Sequence, residues 1–506
     1  MHNVYVFNFS SIKRNKMYYK KIALSFFSVV LFTAAIPSDI SAAVKQIKIH
    51  GYITNIISPT VFEIDDVKVS RSETLIFNLE NQDATVQFKP ENIRVGTEIE
   101  VEGILDNQTN ELKATKVSVD LDQFRKLKNT TVLSRTPEGI VKTEKGWNGV
   151  FRADGRQIRI NETTQVLFEL NKSEKKAVEI AAKNPKKKAE NVETDEFTDS
   201  EPLKDIADVK PGMFATFEGM QQPDGAILAS RIVFVKNELE KGEGGLWKSM
   251  KITEKTPNFT AGDPGELKVS SVGKFKLLPN QQVQEYVQGI GQSLIPAYQK
   301  NLADDDPQKI NFRFYVIRDK DANAFALANG VVVINSGMIT KLENEAQLAA
   351  VISHEISHAT QEHTWRAMNK DKNKRTALLV GTLAASIFAP GLDTVLGLVS
   401  SAMMNGYSRR LEDQADRIGL EYMVAANYDP REAPRVWKLM SKDKRDMPNT
   451  IFWSSHNSNA TRRSYLMVEI RDNYSQLNFN EMKKGDADEY KKISEATALA
   501  AIKKKK

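Results

Sequence analysis

Two distant stretches of the chain are written on one template. NIRVGTEIEVEGILDNQTNELKATKVSV (92–119) parallels DVKPGMFATFEGMQQPDGAILASRIVFV (208–235). In each, two glycines stand seven apart: Gly96 and Gly103 in the first, Gly212 and Gly219 in the second. Each second glycine leads through a turn into Ala-x-x-Val or Ala-x-x-Ile. Upstream, HGYITNIISPTVFEIDDVKVSRSETLIF parallels EGIVKTEKGWNGVFRADGRQIRINETTQVLF, with the same gap of eight from Val69 to Phe77 and from Ile160 to Phe168. Alternating apolar residues broken by Gly, Asn and Asp predict short antiparallel strands. Residues 46–235 therefore read as two tandem small all-β modules of OB-like type, 44–122 and 133–237. The charged, core-poor segment 171–203 is expected to be a loop inserted in the second. No aromatic cluster or basic stripe marks either module as a nucleic-acid reader, which leaves protein contact or spacing as its role.

The chain of 506 residues is too long for one core. Its start is set apart by Lys13, Arg14, Lys16, Lys20 and Lys21, followed by an apolar run from Ile22 to Ile36 and then PSDISAA. That order predicts a signal peptide, 1–43, cut after Ala43. The protein is then exported, periplasmic or secreted. Removing those residues takes away five Lys/Arg and one Asp, so the formal charge falls from +6 to +6 − 5 + 1 = +2. A nearly balanced charge argues against a nucleic-acid partner. The absence of cysteine excludes disulfides and a lipid anchor on a processed cysteine.

Beyond a Gly- and Pro-rich break read as a linker, 238–268, the pattern becomes helical. Val283, Val287, Ile290 and Leu294 share one helical face, and the runs INFRFYVI and ALANGVVVINSG read as strands. Asn344 and Gln347 predict a capped start for a long helix, EAQLAAVISHEISHATQEHTWRAM. Residues 476–506 read as a charged tail.

That helix holds three of the six histidines. His354 and His358 bracket Glu355 in His-Glu-x-x-His and lie one turn apart, within about 40° on the helix surface. Both imidazoles can reach one tetrahedral ion, and Glu355 can reach a water beside it. His363 points about 140° away from His358 on a continuous helix, so it is expected at the surface or as a support to a ligand. A third ligand is available in YSRRLEDQADRIGLEYM, where Glu412 and Asp416 share a face: Glu412 for the ion, Asp416 to accept the N–H of a ligand histidine.

The ordered set of His-Glu-x-x-His, Tyr-Ser-Arg-x-x-Glu-x-x-Ala-Asp, YDPREAPRVWKLM and SSHNSNATRR resembles the zinc metallopeptidases that include the CAAX prenyl protease, HtpX and soluble periplasmic relatives. NAFALANGVVVINSGMI and NEAQLAAVISHEISH add to the likeness, which covers about residues 270–470. It implies a mainly α (α+β) zincin-type peptidase domain, 269–475; the two β-modules lie outside the likeness and precede that domain in a multidomain chain. It implies one Zn²⁺ on His354, His358 and Glu412, with Glu355 as base. It also implies that Ala324, Phe325, Ala326 and Gly330 hold an extended polypeptide by strand addition. His456 and Arg462 match the family's His-Pro-x-x-x-x-Arg pattern with Asn457 in place of proline, and are expected beside the metal. His456 would be a fourth resting ligand or an oxyanion donor; Arg462, or Arg463 in its stead, would be a cation for the oxyanion.

The apolar segment 377–404 is interrupted by Pro390, Gly391 and Asp393, leaving two runs too short to span a bilayer. It is expected to form a helical hairpin over the site, compatible with peripheral membrane contact. The function expected is a zinc endopeptidase of the cell envelope acting on unfolded or misassembled exported proteins, with the β-modules available to an envelope partner. The alternative from another class is a binding or chaperone-like envelope protein with a latched or idle zinc site.

Overall fold

The duplication is visible strand by strand. In the first module β1 (Gln46–Ser58) pairs antiparallel with β2 (Val61–Ile64) and β5 (Glu98–Asp106), β2 with β3 (Val67–Ser70), and β5 with β6 (Glu111–Asp120). β3 runs parallel to β6 and closes the circuit, while β4 (Phe77–Glu80) lies parallel to the far end of β6. The second module repeats this plan with its first strand split. β7 (Leu127–Val132) pairs with β13 (Phe214–Gln221), and β8 (Ile140–Thr143) pairs with β9 (Gly146–Ala153). β10 (Arg156–Ile160) and β11 (Gln165–Glu169) both run parallel to β14 (Ile227–Val235), and β12 (Ser200–Pro202) flanks β11. The computed structural model describes residues 46–80, 88–106, 108–121, 127–169, 200–239, 241–255, 263, 265–270, 273–369, 407–441 and 459–502. The segment 1–43, most of the loop 171–203, the hairpin 377–404, Asn457 and His456 lie outside the described residues.

The paired glycines of the repeat have a steric cause. Gly96 and Gly212 adopt φ of +87° and +88°, which side chains resist. Gly103 and Gly219 sit at the register shifts of β5 on β6 and β13 on β14. A Cβ there would lie 2.3 Å from the carbonyl oxygen of Lys113 or of Leu228, so only glycine lets the bulged strands close up. Each module has its own apolar core, around Ile53, Phe62, Val101 and Val117 in the first and Phe151, Phe217, Ile232 and Phe234 in the second.

The C-terminal part is mainly helical around one small sheet, β18 (Arg313–Ile317), β20 (Val331–Asn335) and β19 (Ala324–Ala326) in that order. Helix Gln281–Leu294 buries the four residues expected from its periodicity. The motif helix runs Glu345–Thr360; Asn344 caps it by accepting from the Gln347 N–H at 2.9 Å, and Gln347 Oε1 accepts from the Glu343 N–H at 2.8 Å. Two expectations are corrected. The stretch read as a linker carries helix Lys241–Ser249, β15 (Ile252–Lys255) and β16 (Glu266–Val269), the last paired with β17 (Gly273–Lys276). Leu246, Met250 and Leu267 are buried there against Val331 and Val333, apolar anchors obscured by the surrounding Gly and Pro. The segment read as a tail carries helix Ala487–Ala501, in which Tyr490, Ile493 and Thr497 form a buried face among charged residues. Tyr490 also donates to the Ile339 carbonyl at 3.0 Å.

The modules are not spacers hung on this part; from Lys45 onward the chain is one compact unit. Arg417 of helix Arg409–Ala425 is buried and pairs with Asp154 of the β9–β10 turn at 2.6 Å. Arg156 pairs with Glu469 of helix Asn459–Tyr474 at 2.6 Å. Gln361, at the end of the motif helix, exchanges hydrogen bonds with both backbone groups of Val132. The first module holds the start of helix Asn459–Tyr474 through the Tyr52 N–H on Ser464 Oγ at 3.0 Å. Independent cores would let the helical part fold alone, but these buried charges lose their partners if the modules are cut away, at roughly 3–5 kcal/mol for each broken buried pair. A chain truncated to residues 245–506 is therefore expected to lose cooperative thermal unfolding followed by circular dichroism. A transition matching that of residues 44–506 would show that the modules are dispensable for folding.

Candidate metal centre

The site is built where two helices cross at small residues. Helix Arg409–Ala425 lays Ala415 and Gly419 on the motif helix, and a Cβ on Gly419 would meet the backbone of His354 at 3.2–3.3 Å. That closeness brings Glu412, one turn before Asp416, against the two histidines. His354, His358 and Glu412 are all buried, and one donor atom from each lies within 4.8 Å of the others. His354 Nε2 is 3.0 Å from His358 Nε2 and 3.4 Å from Glu412 Oε2; His358 Nε2 is 3.7 Å from Glu412 Oε1. Ligand atoms held tetrahedrally at about 2.0–2.1 Å from an ion stand roughly 3.3 Å apart. The observed spacings bracket that value, so the donor set fits a single small divalent metal ion.

Behind the donors, Asp416 Oδ1 lies 3.0 Å from His354 Nδ1. Arg462 grips Asp416 with two nitrogens, Nε on Oδ2 at 2.8 Å and Nη2 on Oδ1 at 2.6 Å. Its Nη1 stands 3.0 Å from Glu412 Oε2, and its guanidinium is stacked on Trp437 at 3.6 Å. Burial works against an ionised Asp416, yet the Arg462 charge and the bonds from Arg462 and His354 hold its carboxyl below its usual range. Burial and Arg462 also oppose charge on His354, but hydrogen bonds to Asp416 and Glu412 outweigh them and raise its pKa to about 9.

His358 is held on its other side. Its Nδ1 lies 2.9 Å from His363 Nδ1, and Tyr407 stacks on its ring with centroids 4.1 Å apart. His363 was expected at the surface or as a support to a ligand; the surface alternative is corrected, since it is fully buried in direct contact with His358. The angular argument failed because the motif helix ends before it. Gln361 caps the helix, Glu362 takes φ +55°, and His363 opens a new helix, His363–Asn369. Burial, then Arg366, push the His363 imidazolium down to about 3, so the ring is neutral.

Glu355, nine-tenths or more buried, lines with His354 a cavity of about 20 Å³ bordered by Val351, Trp437 and Leu466. That is room for one water. Arg462 was expected to face the reacting oxygen; the structure places it on Asp416 and Glu412. Arg463 points away, to Asp65 at 3.0 Å on the first β-module. β19 is the edge of its sheet and packs on the motif helix, with Ala324 and Ala326 buried and Phe325 against Phe275. Gly330 belongs to the turn into β20, with φ +85° and Ile310 where a Cβ would be. Trp437, Tyr407, Gln414 and Asp154 complete the surroundings; the first three lie within the motifs but were given no role, and Asp154 had no local sequence signal, whereas His363 stood out as a third His in the cluster.

With this geometry in hand, comparison with known proteins is informative. Residues 281–469 match the sequence model of peptidase family M48, in accord with the resemblance carried by the motifs. Over those residues the chain is thus similar to the metallopeptidases of that family. Residues 50–118 match a domain of unknown function, DUF5666. The beta-barrel assembly-enhancing protease of Escherichia coli is 30% identical over 169 residues, covering 32% of this chain and 33% of that protein. A putative beta-barrel assembly-enhancing protease of Vibrio cholerae is 30% identical over 168 residues, with 32% and 33% covered. The mitochondrial metalloendopeptidase OMA1 of Arabidopsis thaliana is 31% identical over 160 residues, covering 32% of each chain. The match thus spans about a third of the length of these relatives. Among the described residues no helix is long and apolar enough to cross a membrane.

Glu412→Ala removes one of three donors while leaving the histidine pair, so the variant is expected to retain less than about a tenth of the wild-type metal after dialysis. Metal content by atomic emission checks this; equal content in variant and wild type would remove Glu412 from the ligand set.

Proposed function

We propose that the protein is a zinc-dependent endopeptidase of the cell envelope that hydrolyses unfolded or misassembled exported polypeptides. The observation that carries this reading is the near-tetrahedral spacing of His354, His358 and Glu412 directly beside Glu355. The envelope assignment rests on the leader-like N-terminus and on relatives named for enhancing β-barrel assembly.

His354, His358 and Glu412 would hold the ion. A zinc ion there supplies Lewis acidity toward a water and toward the scissile carbonyl. Glu355 accepts a proton from that water as its oxygen adds to the carbonyl carbon, and returns it to the amine nitrogen as the C–N bond breaks. Asp416 orients His354, and Arg462 keeps Asp416 ionised and holds Glu412 in place. The edge strand Ala324–Ala326 receives an extended substrate by main-chain hydrogen bonds. His456 is assigned as a resting latch on the ion. The β-modules are assigned as OB-type: the circuit β1-β2-β3-β6-β5, closed by the parallel β3–β6 pair, supports this and is followed by the second module.

Glu355→Gln preserves shape but cannot take up the proton, so zinc content should be unchanged while cleavage of unfolded casein falls by about 10²–10⁴-fold. Near-normal turnover by this variant would rule out Glu355 as the base.

A further inference from the structure

The tip of the β9–β10 hairpin, Ala153-Asp154-Gly155-Arg156, is pressed between two of the helices that build the metal centre. Asp154 and Gly155 both take positive φ, +56° and +70°, so the strands reverse in two residues. A Cβ on Gly155 would lie 2.7 Å from Arg417 Cβ, so the tip seats only because that position is glycine. Asp154 is buried, and as a carboxylate it can only accept. It takes hydrogen bonds from Asn129 Nδ2 at 3.0 Å, from Arg417 Nη2 at 2.6 Å and from Gln414 Nε2.

The direction of each bond from Asp154 to the ligand histidine is then forced. Gln414 Nε2 gives its two hydrogens to Asp154 Oδ1 and to the Thr130 carbonyl at 3.0 Å. Its Oε1 must therefore accept, and Arg366 Nη1 donates to it at 2.9 Å, which independently sets the amide orientation. His363 Nε2, 3.0 Å from that same oxygen, must carry a hydrogen. The two Nδ1 atoms stand 2.9 Å apart, so one carries the hydrogen and the other accepts it; an imidazole that holds an ion through Nε2 has its hydrogen on Nδ1, which makes His358 the donor and His363 the acceptor. His358 is left with a bare Nε2, the nitrogen that faces His354 Nε2 and Glu412.

We propose that Asp154, Gln414 and His363 form a positioning relay through which the second β-module sets the tautomer and ring orientation of His358, making that module part of the metal centre. The relay rests on the metal-centre reading above and adds to it residues that touch neither ion nor substrate. Partners of this kind shift metal affinity by about 10–100-fold when removed.

The test is zinc affinity of the full chain, measured by competition with a chelator, with ring-nitrogen NMR on protein labelled with ¹⁵N-histidine. In the zinc-loaded wild type, His358 Nδ1 and His363 Nε2 should give signals of protonated nitrogens and His363 Nδ1 that of a bare one. His363→Leu, which can neither accept nor donate, should weaken zinc binding about 10–100-fold. His363→Gln, whose amide oxygen can accept from His358 Nδ1–H, should recover most of that loss, a rescue that a merely space-filling role would not give. Asp154→Asn, in the module, replaces one acceptor oxygen by a donor facing donors and should weaken zinc binding by about tenfold. Should Asp154→Asn not fold, the His363 pair and the wild-type NMR decide. Affinities of folded variants within about twofold of wild type, or a protonated His363 Nδ1, would overturn the relay. A wild-type chain that takes up no zinc would instead overturn the metal-centre reading itself.

Discussion

Charge buried in a protein interior has to be answered by opposite charge or by hydrogen bonds, and in this molecule the answers converge on one helix. Helix Arg409–Ala425 carries, in successive turns, Arg409 to Glu98 of the first module, Glu412 to the histidine pair, and Asp416 to His354 and Arg462. Gln414 and Arg417 of the same helix reach Asp154 of the second module. Each residue is satisfied only if the others' partners are seated. The Glu412–Asp416 pair and Arg462 form a buried carboxylate–guanidinium–imidazole cluster, and removing one partner of such a cluster costs roughly 3–5 kcal/mol. Metal geometry, helix crossing and module docking are consequences of this shared electrostatics.

The β-modules then have a physical reason to precede the helical part. A metal centre assembled on two crossing helices needs its outer faces held, since ligand histidines are useful only in a fixed orientation. The second module does so twice, through Gln361 on Val132 at the end of the motif helix and through the Asp154 turn on the crossing helix. The first module grips the helix that bears Arg462, through Tyr52 on Ser464 and through Asp65 on Arg463. Anything that binds or strains a module can therefore reach the site through a few defined contacts.

The sequence made the centre of this arrangement legible and its periphery less so. The His354–His358 pair follows from helical period, because ligands on one face recur at four; Glu412 was offered only by its pairing with Asp416, and its place on the ion was implied by the family resemblance. The repeated glycines were readable as a duplication, and their bulges and positive φ explain why those positions cannot vary. Asp154 was not readable: Asp-Gly between two strands is an ordinary turn, and nothing local says that its partner stands in a helix hundreds of residues later. For His363 the sequence left the surface and a support to a ligand both open, because an unbroken helix was assumed, where a left-handed Glu362 turns it back onto His358. Arg462 was placed near the metal, but a sequence cannot show that its guanidinium would be committed to two carboxylates. The helix Ala487–Ala501 was hidden by its charge, since Tyr490, Ile493 and Thr497 are few among lysines and acids.

The central claim is the proposed one, that His354, His358 and Glu412 hold one zinc ion, joined at rest by His456. X-ray absorption at the zinc K-edge on the full chain, purified without added chelator, reads this directly. The account predicts about one zinc per chain, with three imidazole nitrogens at rest, those of His354, His358 and the latching His456, oxygen donors at about 2.0–2.2 Å and no sulfur. A chain free of zinc after equilibration with the ion, or a spectrum with fewer than three imidazoles per zinc, would contradict it.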